Sequence, residues 1–419
     1  MYQKTILDNG IKIVTEQIPH VHSIALGIWI ITGSRDEDQS QNGIAHFIEH
    51  MLFKGTTKRT ALEISREIDS VGGILNALTG KEYTGIYAKV LDKNIDLAFD
   101  LLADIFLHST FDSREMERER DVIFQEIHLS EDTPDEYIQE LFSKSYFRDH
   151  PLSKPILGNV ETVSNINREK MVSFFHQNHY QPSKLVISAT GNLDHNRIVN
   201  GFKKSFDSVC EQNTTPFRHS LKPVSTFSIH TKALEQVHLC IGTKGVAQNH
   251  PLRYAGYVLN TILGGSMSSR LFQEIREKKG LAYAVYSYFS SYFDAGVFAV
   301  YLGVSKKTAR EAVLLVMKEL YKCKDNGVSD SELKTAKEQI KGNTLLASEN
   351  VDSRMTRLAK CEIYFNRFIS IEEIMTNIDN VTSHDIKDLA KKIFDRNYLS
   401  LAALGPINHK DLTPDLLDS

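Results

Sequence analysis

The feature that most constrains the fold is an internal repeat. An apolar run typical of a β-strand, Ser23 to Thr32, precedes a helical segment, and Gln236 to Thr243 precedes a second helical segment, Tyr254 to Gly265. Aligning Gly55 with Gly265 places the two segments at a constant offset of 210 residues. A repeat of this kind predicts two copies of one fold, packed together.

A stretch between the two copies reads as a linker. Between Ser208 and Phe227 the periodicity is lost, and polar residues and two prolines gather, a composition typical of a surface linker. We therefore place a first domain at residues 1–210, a linker at 211–227 and a second domain at 228–419.

The first helical segment contains His46-Phe-Ile-Glu-His50, with metal-binding and proton-transfer residues at a spacing that chance seldom produces. On an α-helix, His46 and His50 lie on one face about one turn apart, so both imidazoles can bind one ion. Glu49 is placed to accept a proton from a metal-bound water rather than to bind the metal. This order, the inverse of His-Glu-x-x-His, is typical of inverzincins. A bare match of five residues also fits an amphipathic helix whose histidines bind no metal.

The second copy of the repeat keeps this helix and loses its chemistry. At the offset of 210, the three motif positions are occupied by Gly256, Leu259 and Asn260. A catalytic zinc normally takes three protein ligands, commonly two histidines and one glutamate, and leaves a position for water. We therefore expect a further carboxylate elsewhere in the first half of the chain.

An acidic helical segment at residues 111–127 offers this carboxylate. At an offset of 217, Glu119 aligns with Ala336 and Glu126 with Asn343, so the second copy lacks both. The two glutamates are two helical turns apart and share a face. Apolar neighbours flank Glu126, so we expect it to be buried, and a buried carboxylate needs a partner such as zinc. We assign Glu126 as the third ligand and Glu119 as an acceptor that orients a histidine. For Glu119, a salt bridge on a surface helix is the alternative.

Composition argues against several classes of function. The chain has 419 residues, is 41% hydrophobic and 24% charged, and has a formal net charge of -4. This composition is that of an ordinary globular protein. Basic runs are absent, which argues against a nucleic acid or an anionic membrane as the main partner. The longest apolar runs fall well short of the roughly 20 residues of a membrane-spanning helix. The N-terminus has no signal or transit pattern, so we predict a cytoplasmic protein without a membrane span.

With these motifs, the chain resembles the pitrilysin/insulysin family of zinc peptidases, in the short form of the mitochondrial processing peptidase subunits and their bacterial relatives. The resemblance runs nearly end to end. Besides Glu119 and Glu126 at the family's spacing, it is carried by Leu7-Asp-Asn-Gly10, Gly33-Ser-Arg-Asp-Glu37, residues 46–56 and Arg276-Glu-Lys-Lys-Gly-Leu-Ala-Tyr283. It implies an α+β fold of two homologous domains, each a mostly antiparallel β-sheet with helices packed on one face.

The resemblance also implies an activity, zinc-dependent hydrolysis of extended or unfolded peptides. In the family, two histidines and a distal glutamate bind zinc, and the glutamate of the motif is the general base. By resemblance, His46, His50 and Glu126 would hold one Zn²⁺ per chain, and Glu49 would be the base.

Further residues match the family's substrate contacts. By resemblance, Arg276 and Tyr283 contact the peptide near the scissile bond and help stabilise the tetrahedral oxyanion. Asn76 and Ala77 match an edge strand to which an extended peptide adds as a further strand. Without the resemblance, Tyr283 would be interpreted as a strand aromatic and Arg276 as one more helix charge.

Oligomeric state follows from the same resemblance. Long relatives carry the zinc motif and the Arg/Tyr pair in opposite halves of one polypeptide. Here one short chain carries both, so the resemblance implies a homodimer in which each site is completed by the partner chain. Because the family includes core proteins of the respiratory cytochrome bc1 complex, a non-catalytic structural subunit is the alternative function. A third interpretation is a peptide-binding module that uses the edge strand alone.

Overall fold

The computed structural model describes residues 1–179, 181–207, 209 and 224–418. Residues 211–223 of the predicted linker therefore lie outside the described residues, and the domain boundaries at 210 and 227 stay a prediction. The described chain forms two compact units.

Each compact unit combines most of one half of the sequence with a short segment of the other half. The first comprises Met1–His128, the chain from Lys154 to residue 209, and Leu346–Ile369. The second comprises Leu129–Ser153, residues 224–345 and residues 370–418.

The first unit is built on a six-stranded sheet. Its strands are β1 (Tyr2–Ile6), β2 (Lys12–Gln17), β3 (Ser23–Ile30), β4 (Ile74–Thr79), β5 (Thr84–Leu91) and β6 (Leu185–Gly191). They lie in the order β1-β2-β6-β3-β5-β4, and every neighbouring pair except β2 and β6 is antiparallel. In β3, Gly27 pairs with Tyr87 on one side and with Ser188 on the other. The central strand is a continuous apolar run because both of its faces are covered.

Helices follow the strands in both halves of the sequence. In the first half they are α1 (Ile44–Leu52), α2 (Ala61–Ser70), α3 (Ile95–His108), α4 (Ser113–Glu131), α5 (Pro134–Tyr146), α6 (Val160–Ser164), α7 (Arg168–Phe174) and α8 (His195–Phe206). In the second half they are α9 (Arg253–Leu263), α10 (Ala309–Asn326), α11 (Asp330–Ala347), α12 (Val351–Phe365), α13 (Ile371–Asp379) and α14 (Ser383–Ile393). None of the helices in the described ranges combines the length and the apolar composition that a membrane crossing requires.

Helices pack on both faces of the first sheet. On one face, Ile24, Leu26 and Ile28 of β3 join a large apolar core that includes side chains of α1, α3 and α8. On the other face, α12 crosses β2, β3 and β6. The Thr190 hydroxyl of β6 donates a hydrogen bond of 2.6 Å to the Val351 carbonyl at the start of α12.

The second unit repeats this plan with five strands. They are β7 (Phe227–Thr231), β8 (Val237–Lys244), β9 (Ala282–Ser291), β10 (Gly296–Val304) and β11 (Ser400–Gly405). Their order is β7-β11-β8-β10-β9, with β7 and β11 parallel and the other neighbours antiparallel. This matches β2-β6-β3-β5-β4 of the first sheet, strand for strand. One face packs against α9, α10 and α14, and Ile138, Phe142 and Tyr146 of α5 pack on the other face.

These two sheets confirm the predicted α+β fold of two homologous domains, each with a mostly antiparallel sheet. The structure adds one helix on the opposite face of each sheet. The helix that follows α4 in the first copy, α5, covers the second sheet, and the helix that follows α11 in the second copy, α12, covers the first.

Candidate metal centre

The start of α1 is fixed by a buried carboxylate, Glu37. Its Oε2 accepts hydrogen bonds from the Asn42 side chain (2.7 Å) and the Gly43 backbone (2.9 Å), and its Oε1 accepts one from the Ala45 backbone (2.9 Å). These donors include the free N–H groups at the helix start, which an anion satisfies. Burial raises the pKa of Glu37 to about 7. The anchored N-terminus sets the rotation of α1 and hence the direction of its side chains.

Three predicted ligands, His46, His50 and Glu126, come together beside this helix. The His46 and His50 rings are neighbours on one face of α1, with centroids 4.7 Å apart. Glu126 Oε2, from α4, lies 3.7 Å from His46 Nε2 and 3.5 Å from His50 Nε2. One donor atom from each residue lies within 4.8 Å of the others, and in the described part of the chain this is the one such cluster with metal-ligand chemistry.

The state of these side chains fits a divalent metal such as zinc. Burial, with His50 beside it, lowers the pKa of His46 to about 3, so its imidazole is neutral, as a ligand must be. Among the described residues, Nδ1 of His46 is buried and has no hydrogen-bond partner, while Nε2 of the same ring faces Glu126. Two imidazole nitrogens and one carboxylate oxygen form a donor set that zinc takes in hydrolytic sites.

The burial of the two glutamates on α4 differs from our expectation. The side chain of Glu126 is 39% exposed, whereas that of Glu119 is 9% exposed. The buried stripe of α4 consists of Met116, Glu119, Ile123 and Ile127, and Glu126 lies at its margin. The expectation that Glu126 is buried was therefore wrong, although the residue does lie against both histidines.

Glu119 contacts the far side of the His50 ring. Its Oε2 lies 3.1 Å from His50 Nδ1, while Nε2 of the same ring faces Glu126. Its Oε1 lies 2.6 Å from the ammonium group of Lys54. No role was predicted for Lys54 or Glu37 from the sequence, although both lie in stretches that carry the family resemblance. Lys54 leaves a signal in the repeat, because the aligned residue of the second copy is Gly264.

Glu49 lies in the same turn of α1 as His50 and is partly buried. Burial raises the pKa of its carboxyl group. Its Oε2 is buried and has no hydrogen-bond partner among the described residues. A carboxylate oxygen without a partner next to three converging donor atoms is free to accept a proton from a bound molecule.

Asn76 and Ala77 lie on β4, at the edge of the first sheet. Asn76 is exposed and Ala77 is buried. The Ala77 N–H donates to Oδ1 of Asn76 at 2.8 Å rather than to a neighbouring strand. The Ala77 N–H is therefore a main-chain donor to which a carbonyl oxygen of an added peptide strand could bond.

Arg276 and Tyr283 lie close together in the second unit. Arg276 belongs to a short π-helix, Phe272–Glu277, and its guanidinium carbon is 5.2 Å from the centre of the Tyr283 ring. Tyr283 is 79% exposed at the start of β9, an unusual exposure for a large aromatic side chain. The structure thus places the half-buried cation of Arg276 beside the exposed phenol of Tyr283.

The second copy has its own structure at the positions of the missing ligands. Asn260 of α9, which aligns with His50, accepts a hydrogen bond of 2.8 Å from the Ser287 hydroxyl of β9. A Cβ atom at Gly256, which aligns with His46, would lie 2.6 Å from the Phe289 ring. The Phe289 side chain fills the space that the second copy would need for an imidazole.

Comparison with known proteins places both halves of the chain in one family. Residues 12–160 match the family described as Insulinase (Peptidase family M16), and residues 165–340 match the Peptidase M16 inactive domain. An uncharacterized zinc protease of Bacillus subtilis is 40% identical over 406 residues, which cover 97% of this chain and 98% of that protein. An uncharacterized zinc protease of Rickettsia felis is 41% identical over 404 residues, 96% of each chain.

Solved structures show the same fold. A peptidase M16 inactive domain from Pseudomonas fluorescens superposes with a TM-score of 0.90 at 20% identity, covering 97% of this chain and 98% of that one. A protease from Helicobacter pylori gives a TM-score of 0.89 at 22% identity, covering 96% and 99%.

Proposed function

We propose that this chain, which belongs to the insulinase family of peptidases (peptidase family M16), is a zinc-dependent endopeptidase that cuts extended or unfolded peptides. The observation that carries the proposal is the convergence of His46, His50 and Glu126 beside Glu49, whose Oε2 is buried and has no hydrogen-bond partner among the described residues. A non-catalytic subunit would have no need for this arrangement.

In the proposed mechanism, His46, His50 and Glu126 would hold one zinc ion per chain. Zinc bound there would activate a water molecule as a Lewis acid and lower its pKa toward about 7. Glu49 would act as the general base toward the attacking water and then as the proton donor to the leaving amine. Glu119 contacts Nδ1 of His50 and so orients the ring with its Nε2 toward Glu126.

The substrate would bind as an added strand along β4. The edge position of β4 and the outward N–H of Ala77 support this proposal. A peptide carbonyl would replace Oδ1 of Asn76 as the acceptor of the Ala77 N–H, or the Asn76 side chain would itself bond to the peptide. Arg276 and Tyr283, which carry a cation and a phenol donor, would stabilise the oxyanion. We propose that they act on the metal centre of a partner subunit in a homodimer. A cytoplasmic location stays a prediction from the sequence.

The test is cleavage of a diverse library of unstructured peptides, with products identified by mass spectrometry. The zinc-loaded protein should cut peptides internally, and Glu49→Gln should keep its zinc yet lose about 100-fold or more of the turnover, because the proton acceptor is gone. Undiminished cleavage by Glu49→Gln at equal zinc content would refute the assigned role. The cut sites would also define the side-chain preference.

A further inference from the structure

We propose that Lys54 is a positioning residue of the metal centre, which acts through Glu119 on the orientation of His50. The inference rests on the proposed zinc site and adds a residue to it. A continuous chain of contacts carries it. The Lys54 ammonium lies 2.6 Å from Glu119 Oε1, Glu119 Oε2 lies 3.1 Å from His50 Nδ1, and His50 Nε2 lies 3.5 Å from Glu126 Oε2.

The Glu119 carboxylate depends on these two contacts. It is 9% exposed, and in the described residues its ion-pair partners are Lys54 and His50. A buried carboxylate without a cation is costly and turns toward any other donor within reach. By occupying Oε1, Lys54 leaves Oε2 to accept from the Nδ1–H of His50. That hydrogen bond selects the tautomer whose Nε2 lone pair faces Glu126.

The backbone holds Lys54 where it can do this. The lysine follows the last turn of α1, and its N–H donates to the Met51 carbonyl at 3.1 Å. Gly55, with φ of 118°, then turns the chain away from the helix. The side chain is 30% exposed, so its stem lies along the protein while the ammonium reaches Glu119.

The internal repeat gives an independent observation. At the same two offsets, Lys54 aligns with Gly264, and Glu119 aligns with Ala336. The neighbouring Gly55 is retained as Gly265, so the turn is kept while the lysine is lost. A Cβ atom at Gly264 would lie 2.6 Å from the Ser287 backbone nitrogen, so no side chain fits there. Lysine, glutamate and histidine are thus present together in one copy and absent together in the other.

The experiment compares zinc affinities measured by competition with a chromophoric chelator. Lys54→Met should weaken zinc binding by about 10-fold or more, as loss of an outer partner of a ligand usually does. Lys54→Arg, which keeps a cation, should restore most of the affinity. Lys58→Met, at an exposed lysine four residues further on, is the matched control and should bind zinc like the wild type.

A double-mutant cycle tests the path through Glu119. In a Glu119→Gln background, Lys54→Met should change the zinc affinity by less than about twofold, because the group through which it acts is already gone. Full additivity of the two effects, or a Lys54→Met protein that binds zinc as tightly as Lys58→Met, would overturn the inference. If Lys54→Met does not fold, Lys54→Gln carries the same expectation. Failure of the wild type to bind zinc would instead refute the proposed function.

Discussion

At the scale of single residues, His46 and His179 are both buried histidines, yet only one lies among other donor atoms. Burial lowers the pKa of each to about 3. The His46 ring lies beside the His50 ring, and Nε2 of His46 lies 3.7 Å from Glu126 Oε2. His179 stacks on the Phe175 ring, and neither of its nitrogens has a hydrogen-bond partner among the described residues. Convergence of donor atoms, rather than burial, distinguishes a candidate ligand.

His179 leads to a prediction about stability and pH. Its pKa is depressed in the folded state, so the unfolded chain binds the extra proton first, and stability falls as the pH drops below about 6.5 toward 3. The loss is about 1.4 kcal/mol for each pH unit in that window. His179→Phe should remove this loss, and His20→Phe, at an exposed histidine, should not. Denaturant titrations at pH 6.5, 5.5 and 4.5 measure the free energy of unfolding at each pH. If this free energy falls equally with pH in His179→Phe and in the wild type, the prediction is wrong.

At the scale of secondary structure, the sequence predicts the helices and strands better than it predicts which sheet each helix packs against. The motif helix α1 and the acidic helix α4 both follow from helical periodicity in the sequence. The positions of α5 and α12 do not. An apolar stripe on a helix shows that the helix is buried, but both sheets offer an apolar face to receive it.

The same limit applies to the site. His46, His50 and Glu126 could be placed because helical spacing and the losses in the second copy are visible in the sequence. The exposure of Glu126 and the cap formed by Glu37 depend on how loops and helices pack, for which the sequence carries no periodic signal. Lys54 lies between these cases, because comparison of the two copies reveals it once the contact is known.

At the scale of the whole molecule, the same fold occurs twice, with different side chains at the equivalent positions. In the first copy, α1 and α4 bring ligands together; in the second, Phe289 and Ser287 of β9 occupy the space next to α9. The second copy instead carries the neighbouring side chains of Arg276 and Tyr283. The homodimer proposed above, in which each metal centre would use the partner subunit's pair, requires this distribution of residues between the two copies.

The proposed homodimer predicts complementation between two inactive variants. Glu49→Gln lacks the base and Arg276→Ala lacks the oxyanion contact, so a heterodimer of the two has one site with both groups. Random exchange of subunits should give about a quarter of wild-type peptide cleavage. Mixtures of each variant with itself are the controls. A Glu49→Gln and Arg276→Ala mixture no more active than these controls would show that the sites are not shared between chains.

The proposed metal centre is tested most directly by the position of zinc in crystals of the zinc-loaded protein, measured by anomalous scattering at the zinc absorption edge. We expect one strong peak per chain, next to Nε2 of His46, Nε2 of His50 and the Glu126 carboxylate. We expect no peak beside Asn260 in the second copy. If there is no peak at the three side chains, or if the zinc lies elsewhere in the chain, the proposed metal centre is wrong.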